Sequence, residues 1–433
     1  MLSGEVLKEV IVSNENFIAK DIKTIVEREN IFLPAKLNKV IVFYGVRRSG
    51  KSYVLFDFFK KHKDSALYVD FEDERLADFE VKDFQRVKEA FLELKPHLLG
   101  KEMFLLFDEV QNIKGWESFS RRAIERENIK VFVTGSSSKM MPEEFHTSLR
   151  GRSWSIELLP FSFREYLRVK GIDLKDRSVV YGQKKPLLKK YFSEYLKWGG
   201  FPEIVLSISE LEKRKLINEY LEAMFFKDLV ERFDISNIHL LDSLREKVFS
   251  SFSLKLSLTS FYKQYRDKFP FSKDSLFLYY KHFLSSMLAF EVRKFSESSY
   301  KRLRNPAKIY LVDTGIAKRV TSSDSGRLLE NIVFLELRRR GGEIFYFEEK
   351  RECDFIVKDT NGGLSVYQVV WELNEENESR EISGLIEACR SLGIRKGMIL
   401  SSDEEGKRKK ENISIEIIPV WKWLLESVRC EAI

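Results

Sequence analysis

The sequence predicts an α/β protein that opens on a parallel sheet covered by helices and closes on a second α/β unit. Three observations carry this. Short β-branched and aromatic runs alternate with helical patterns over the first 160 residues. A glycine-rich turn, Gly45-Val46-Arg47-Arg48-Ser49-Gly50-Lys51-Ser52, joins the first such strand to the helix after it. After Pro160 the pattern turns helical, and strands return only from about residue 328. Alternation of strand and helix favours parallel pairing, because parallel neighbours need a crossover.

Taken in order, residues 39–44 read as a buried strand and 51–61 as a helix. Residues 66–71 give a second strand, 78–95 a helix, 103–107 a third strand, 117–127 a helix and 130–133 a fourth strand. Residues 155–159 are the candidate for a fifth. The stretch 161–325 is rich in Phe, Tyr, Lys and Leu, and KWGGFPEI at 197–204 breaks it with a turn. Strands follow at 343–349, 354–359, 365–373, 397–402 and 413–420, interrupted by a helix near 379–392.

At 433 residues the chain is long enough for two or three domains. The 43% hydrophobic content, with 35 Phe and 16 Tyr, is enough to bury sizeable cores. The net charge of +7 permits a nucleic-acid partner without requiring one. Cys353, Cys389 and Cys430 form no CxxC pair, which argues against a disulfide framework or zinc ribbon and fits a reducing cytosol. No apolar run reaches the roughly 18 residues a membrane span needs, so a cytoplasmic protein with no membrane partner is expected. The basic runs 338–340 and 407–410 read as solvated faces.

The turn at Gly45–Ser52 fits G-x4-G-K-[ST], after a strand and before a helix. Glycines let the backbone curl so that N–H groups point inward at phosphate oxygens. The helix starting near Lys51 adds the positive end of its dipole. Lys51 then reaches the β- and γ-phosphates, and the Ser52 hydroxyl ligates Mg²⁺. A second motif, the apolar run ending in Asp108-Glu109, presents two acids at a strand's carboxyl end. Asp108 suits Mg²⁺ and Glu109 suits the attacking water. A third strand end offers Thr134 and Ser136 as sensors of the γ-phosphate, or simply as polar residues closing a strand.

With these residues in hand, the chain resembles the archaeal and bacterial AAA+ ATPases that carry a C-terminal restriction-endonuclease-like (DUF4143) domain. The resemblance rests on GVRRSGKS (45–52), YVDFEDERL (68–76), LLFDEVQNIKGWE (105–117), VTGSSS (133–138) and LRGRSWSIELLPFSFREYL (149–167). It continues through KWGGFPE (197–203), YLVDTG (310–315), LLENIVFLELRRRG (328–341) and CDFIV (353–357), so it covers nearly the whole chain. It implies an ASCE-type P-loop domain over 1–160 and a helical lid over 161–235. A winged-helix-like domain over 236–325 and a restriction-endonuclease-like α/β domain over 326–433 complete it. It also implies ATP as the nucleotide. Arg150 or Arg152 is implied as γ-phosphate sensor, in cis or from a neighbouring subunit, a role suited to a planar permanent cation.

In the winged-helix-like segment, Ser272 is placed to cap a helix, and the strands AFEVRKF and KIYLVD to form a wing. Lys273, Lys281, Arg293, Lys294, Lys301, Arg302 and Arg304 supply positive charge there, for DNA contact or for a module that only packs within its own protein. In the last domain Glu330, Asp354 and Gln368 fall where such a nuclease keeps its metal acids. Gln368 is a poorer ligand than an acid, and Val370 stands where a lysine belongs, so the site reads as degenerate.

Three functions compete. The leading one is an ATP-driven switch acting on DNA or RNA, with Lys51, Glu109 and Arg152 as catalytic residues. A nucleotide-gated module for a protein partner or for homo-oligomerisation is the second. A metal-dependent nuclease is the third.

Overall fold

The order of strands in the first sheet follows from where the chain must cross. In this computed structural model, which describes residues 2–34, 38–135, 147–174, 179, 182–296, 298, 302, 304–320 and 324–426, the chain forms two compact units, Met1–Leu159 and Pro160–Ile433. The first begins with α1 (Gly4–Lys20), whose N-cap Ser3 accepts the Val6 N–H. Then come β1 (Val40–Tyr44), α2 (Lys51–Lys61), β2 (Ala66–Asp70), α3 (Asp83–Leu94), β3 (Phe104–Asp108), α4 (Trp116–Arg126), β4 (Lys130–Gly135) and β5 (Ser153–Glu157). All pair in parallel in the order β2-β3-β4-β1-β5. The strand carrying the glycine-rich turn is therefore interior, and β4 separates it from the strand ending in Asp108. This is the P-loop sheet of the AAA+ fold expected from the alternation of elements.

Buried strands need cover on both faces. Leu7, Val10 and Ile11 of α1 pack on one face with apolar residues of α3 and α4. Val54, Leu55 and Phe59 of α2 cover the other. The first of these cores is built around Phe84, fully buried, whose ring lies 4.9–5.4 Å from those of Phe71, Phe79, Phe107 and Phe119. Edge-on and offset ring contacts of this kind add to the burial itself.

The second unit opens with α5 (Phe163–Val169), held by a capping box between Ser162 and Glu165. Helices α6 (Lys185–Trp198), α7 (Pro202–Leu206) and α8 (Glu210–Phe225) follow, the last continuing into a π-helical turn at Phe226–Glu231. After α9 (Ile238–Ser250) come β6 (Leu254–Leu256), α10 (Leu258–Tyr265) and α11 (Lys273–Ser285), and Ser272 caps α11 as its position predicts. The two strands expected to form a wing are β7 (Ala289–Lys294) and β8 (Ala307–Leu311), paired antiparallel. Then follow α12 (Thr314–Val320), α13 (Ser325–Arg340), β9 (Glu343–Glu348), β10 (Glu352–Lys358) and β11 (Leu364–Val369). The unit ends with α14 (Glu378–Ser391), β12 (Lys396–Ser401), β13 (Gly406–Lys410), β14 (Ile413–Pro419) and α15 (Val420–Trp423).

These two strands do not stand apart from the C-terminal sheet. β7 pairs with β9, so one mixed sheet runs β13-β14-β12-β11-β10-β9-β7-β8-β6, across the boundary drawn at residue 325. The run at 407–410 is the solvated face expected, whereas the run at 338–340 is half-buried. Residues 407–410 lie on the edge strand β13, where lysines discourage further pairing. At 338–340, the run ends α13. Arg338 lies over the Phe290 ring at 4.3 Å, Arg339 donates to the Pro160 carbonyl, and Arg340 stacks on Trp423 at 3.9 Å.

Replacing Phe84 by Ala empties the centre of the aromatic cluster. We expect a loss of about 3–5 kcal/mol in denaturant unfolding of the first unit. A change within about 0.5 kcal/mol, the size of an ordinary surface effect, would show that the cluster does not hold the sheet's cover.

Candidate functional site

The carboxyl edge of the first sheet is built by a close turn on one strand and by acids on two others. Gly45 sits so near the Leu158 carbonyl that a Cβ there would collide with it. Gly50 takes a left-handed φ of 93° at the N-cap of α2, which a side chain would strain. Lys51, the first residue of α2, is buried, and its ammonium donates to the carbonyls of Gly45 at 3.2 Å and Val46 at 3.0 Å. The lysine is thus folded back over its own loop. Ser49 is fully buried with no partner for its hydroxyl among the described residues. Val46 is buried, Arg48 adopts a left-handed φ of 67°, and Arg47 lies 3.9 Å from Glu72.

Asp108, at the end of β3, is 2% exposed and gathers its neighbours around it. The Tyr68 hydroxyl donates to one carboxylate oxygen at 2.8 Å and the Thr134 hydroxyl donates to the other. The Ser52 hydroxyl, from the start of α2, also bonds this carboxylate. Thr134 accepts the Glu109 N–H at 3.1 Å, so one hydroxyl ties both acids to β4. Glu109 stands at a left-handed φ of 49°, a conformation costing about 1–3 kcal/mol in a non-glycine residue. The Gln111 side-chain amide steadies its carboxylate. Burial raises the Asp108 carboxyl above its ordinary value and Glu109 adds to this, while the Thr134, Ser52 and Tyr68 hydroxyls oppose it.

Two residues of this edge were not singled out by the motifs. Asp70 ends β2 in register with Asp108. Burial pushes it up to about 6, with Asp108, Glu72 and Glu109 adding and the Glu72 N–H opposing. Its signal in the sequence was a second apolar strand ending in an acid. Arg28 donates to the carbonyls of Ser49 at 2.8 Å and Leu159 at 2.6 Å, bracing the glycine-rich loop from the segment before β1. No local pattern announces that contact.

Arg152 is not brought to this edge. The register of β5 on β1 pairs Ser153 with Val40, and the Arg152 carbonyl accepts the Val40 N–H. Arg152 therefore lies at the amino end of a strand pair whose carboxyl end carries Gly45. Five residues of strand span about 16 Å, too far for this side chain to touch a phosphate in its own molecule. Its guanidinium instead pairs with Glu125 at 2.5 Å. Arg150 precedes it in a turn at the same end. Ser136 lies outside the described residues.

In the second unit the residues matched to a nuclease do converge, around a cation. Lys308, on β8, is 3% exposed and places its ammonium 2.9 Å from Asp354, 3.2 Å from Glu330 and 2.6 Å from Glu352. Tyr310 donates to Glu330 at 2.6 Å. Gln368 accepts the Asp354 N–H at 3.2 Å and donates to Glu381 at 2.6 Å. Burial alone would lower the Lys308 ammonium, but the acids around it, led by Asp354 and Glu330, hold it well above its ordinary value. Val370 packs into the hydrophobic core. The lysine near these acids thus comes from 46 residues before Asp354 rather than from β11. No group of three or more His, Cys, Asp or Glu is placed to hold a metal ion among the described residues.

The Asp70 carboxyl makes the first unit sensitive to pH. Its value of about 6 in the fold lies above the ordinary 3.8, so the folded state holds this proton more tightly than the unfolded chain. The associated stability is fully present below about pH 4 and is lost as pH rises through about 6. Asp70→Asn should therefore melt close to wild type near pH 4 and increasingly above it towards pH 7. A difference that stays constant across this range would contradict the shift.

Residues 37–167 match the family model of an AAA domain. Residues 189–326 and 325–423 match two domains of unknown function, DUF8612 and DUF4143. The uncharacterized protein MJ1544 of Methanocaldococcus jannaschii is 36% identical over 442 residues, covering 98% of this chain and 96% of its own. An uncharacterized protein of Haemophilus influenzae is 28% identical and covers 97% of this chain and all of its own length. Among solved structures, the Aeropyrum pernix ORC2 protein aligns over 77% of this chain and 94% of its own at 14% identity, with a TM-score of 0.36. The Thermotoga maritima RuvB branch migration motor aligns over 70% and 94%, at 14% identity and a TM-score of 0.28. On its family models and full-length relatives, the chain belongs to the archaeal and bacterial AAA-type P-loop ATPase family with a C-terminal DUF4143 domain.

Proposed function

We propose that the first unit binds ATP with Mg²⁺ and hydrolyses it, and that this cycle drives a switch acting on nucleic acid. The observation that carries the reading is the meeting of Lys51, Ser52, Asp108, Glu109 and Thr134 at one sheet edge. The glycine-rich loop supplies inward N–H groups for the polyphosphate. Lys51 leaves the Gly45 and Val46 carbonyls for phosphate oxygens, a better partner for an ammonium than neutral acceptors.

The oxygens present fit a hard cation. The Ser52 hydroxyl and Asp108 carboxylate already touch, and an acid raised by burial gains from a positive neighbour. When bound, Mg²⁺ would supply charge to offset that developing on the transferring phosphate. Glu109 orients the attacking water and takes up its proton. Thr134, bonded to both acids, is placed to report their state to β4.

The finer assignments extend from this edge. Residues 161–235 serve as the lid and 236–325 as the winged-helix-like part, with Lys273, Lys281, Arg302 and Arg304 offering charge to a nucleic acid. Arg152 is left to act only on the nucleotide of another copy of the chain. The nuclease reading is the least supported, because Lys308 neutralises the acids where metal ions would need them.

Phosphate release from Mg²⁺-ATP tests the central part. Wild type should turn over. Lys51→Ala should lose both binding and turnover. Glu109→Gln should keep binding while slowing by roughly 10²–10⁴-fold, the usual worth of a positioned base. Equal release from all three proteins would discard the assignment.

A further inference from the structure

Two cavities of about 350 Å³ each open side by side on the second unit and share Lys197 and Trp198 as lining. Cations outnumber acids in their lining, which also includes Trp198, Ile208 and Ile217. Lys170 and Lys213 line one, and Arg214, Lys318 and Arg319 line the other, with Lys197 between. Glu194 and Glu210 are the acids of this lining, and both are engaged. Glu194 accepts the Tyr166 hydroxyl at 3.0 Å, and Glu210 pairs with Lys197 at 2.6 Å and Arg214 at 4.0 Å.

Lys213 is the informative residue. It is 8% exposed, yet its ammonium has no hydrogen-bond or ion-pair partner among the described residues. Its contact is the ring of Trp198, 5.7 Å away. Burial lowers its affinity for a proton, and the neighbouring Lys170 and Lys197 lower it further against Glu194 and Glu210. Its side chain is largely covered while the residue lines the cavity beside other cations, a place where an anion would be stabilised. The close floor is deliberate in geometry: a side chain at Gly315 would collide with the Trp198 carbonyl, which keeps α12 tight against the end of α6.

The cations are divided between the two adjoining cavities rather than gathered in one. That spacing suits a run of phosphates better than a single one. We propose that the two cavities form a trough for the phosphate backbone of single-stranded nucleic acid. The proposal rests on the nucleic-acid part of the function above and gives it a surface, separate from the wing.

Fluorescence anisotropy with a labelled oligothymidine of about 16 nucleotides tests it on the full chain. The exposed pair Arg214→Ser/Lys318→Ser is the first variant, and Lys213→Met the second. Melting curves and ATP turnover of the same preparations check the fold and the first unit. Each variant should bind at least roughly tenfold more weakly, about 1.4 kcal/mol. For the double variant, the slope of log affinity against log salt should be shallower by about 1.4, the amount two lost phosphate contacts remove from a single strand. Wild-type binding with unchanged affinity and slope in folded variants would overturn the trough and leave nucleic-acid action standing. Displacement of the oligonucleotide by polyglutamate at equal charge would overturn it in favour of an acidic protein segment. Failure of wild type to bind at low salt would overturn the trough and nucleic-acid action together, while turnover blocked by Lys51→Ala would keep the ATPase reading apart from both.

Discussion

A carboxylate buried at the end of a sheet has to be satisfied, and Asp108 sets the terms for everything near it. Its oxygens collect the hydroxyls of Tyr68, Thr134 and Ser52, which come from β2, β4 and α2. Those bonds lock the acid strand to its neighbours and to the helix that begins at the glycine-rich loop. The Ser52–Asp108 bond joins the two motifs directly, while Thr134, on the strand β4 that lies between β1 and β3, holds both acids. Its hydroxyl gives its proton to Asp108 and takes the Glu109 N–H, holding Glu109 in a conformation it would not choose alone.

The same edge carries a charge problem. Asp70, Asp108 and Glu109 crowd together, and burial raises the first two above ordinary carboxyl values. Lys51 meanwhile turns to its own loop carbonyls. The carbonyls that hold Lys51 and the hydroxyls that hold Asp108 are neutral groups, weaker partners than a magnesium nucleotide would offer. The C-terminal cluster resolves a like problem internally, since the Lys308 ammonium sits among Glu330, Glu352 and Asp354.

What could be read in advance was what depends on local order. The strand–turn–helix around Gly45 and the apolar run before Asp108 have fixed chemistry over a few residues, and both landed where the spacing placed them. Ser272 capped its helix for the same reason. What escaped depends on pairing between distant segments. Arg152 is excluded from the loop by the register of β5 on β1. Lys308 reaches Asp354 only because β8 and β10 fold into one mixed sheet. Arg28 contacts the loop from a segment with no motif. The run at 338–340 looked solvated because a charge pattern does not reveal that its stems pack on Phe290 and Trp423.

Calorimetric titration of ATP, with and without Mg²⁺, into wild type, Lys51→Ala and Asp108→Asn is the most direct measurement of the central claim. Wild type should bind more tightly with Mg²⁺ than without. Asp108→Asn should lose that increment, and Lys51→Ala should weaken both by roughly tenfold or more, about 1.4 kcal/mol. Equal affinities across the three proteins, or an affinity indifferent to Mg²⁺ in wild type, would contradict a nucleotide held between this loop and this acid pair.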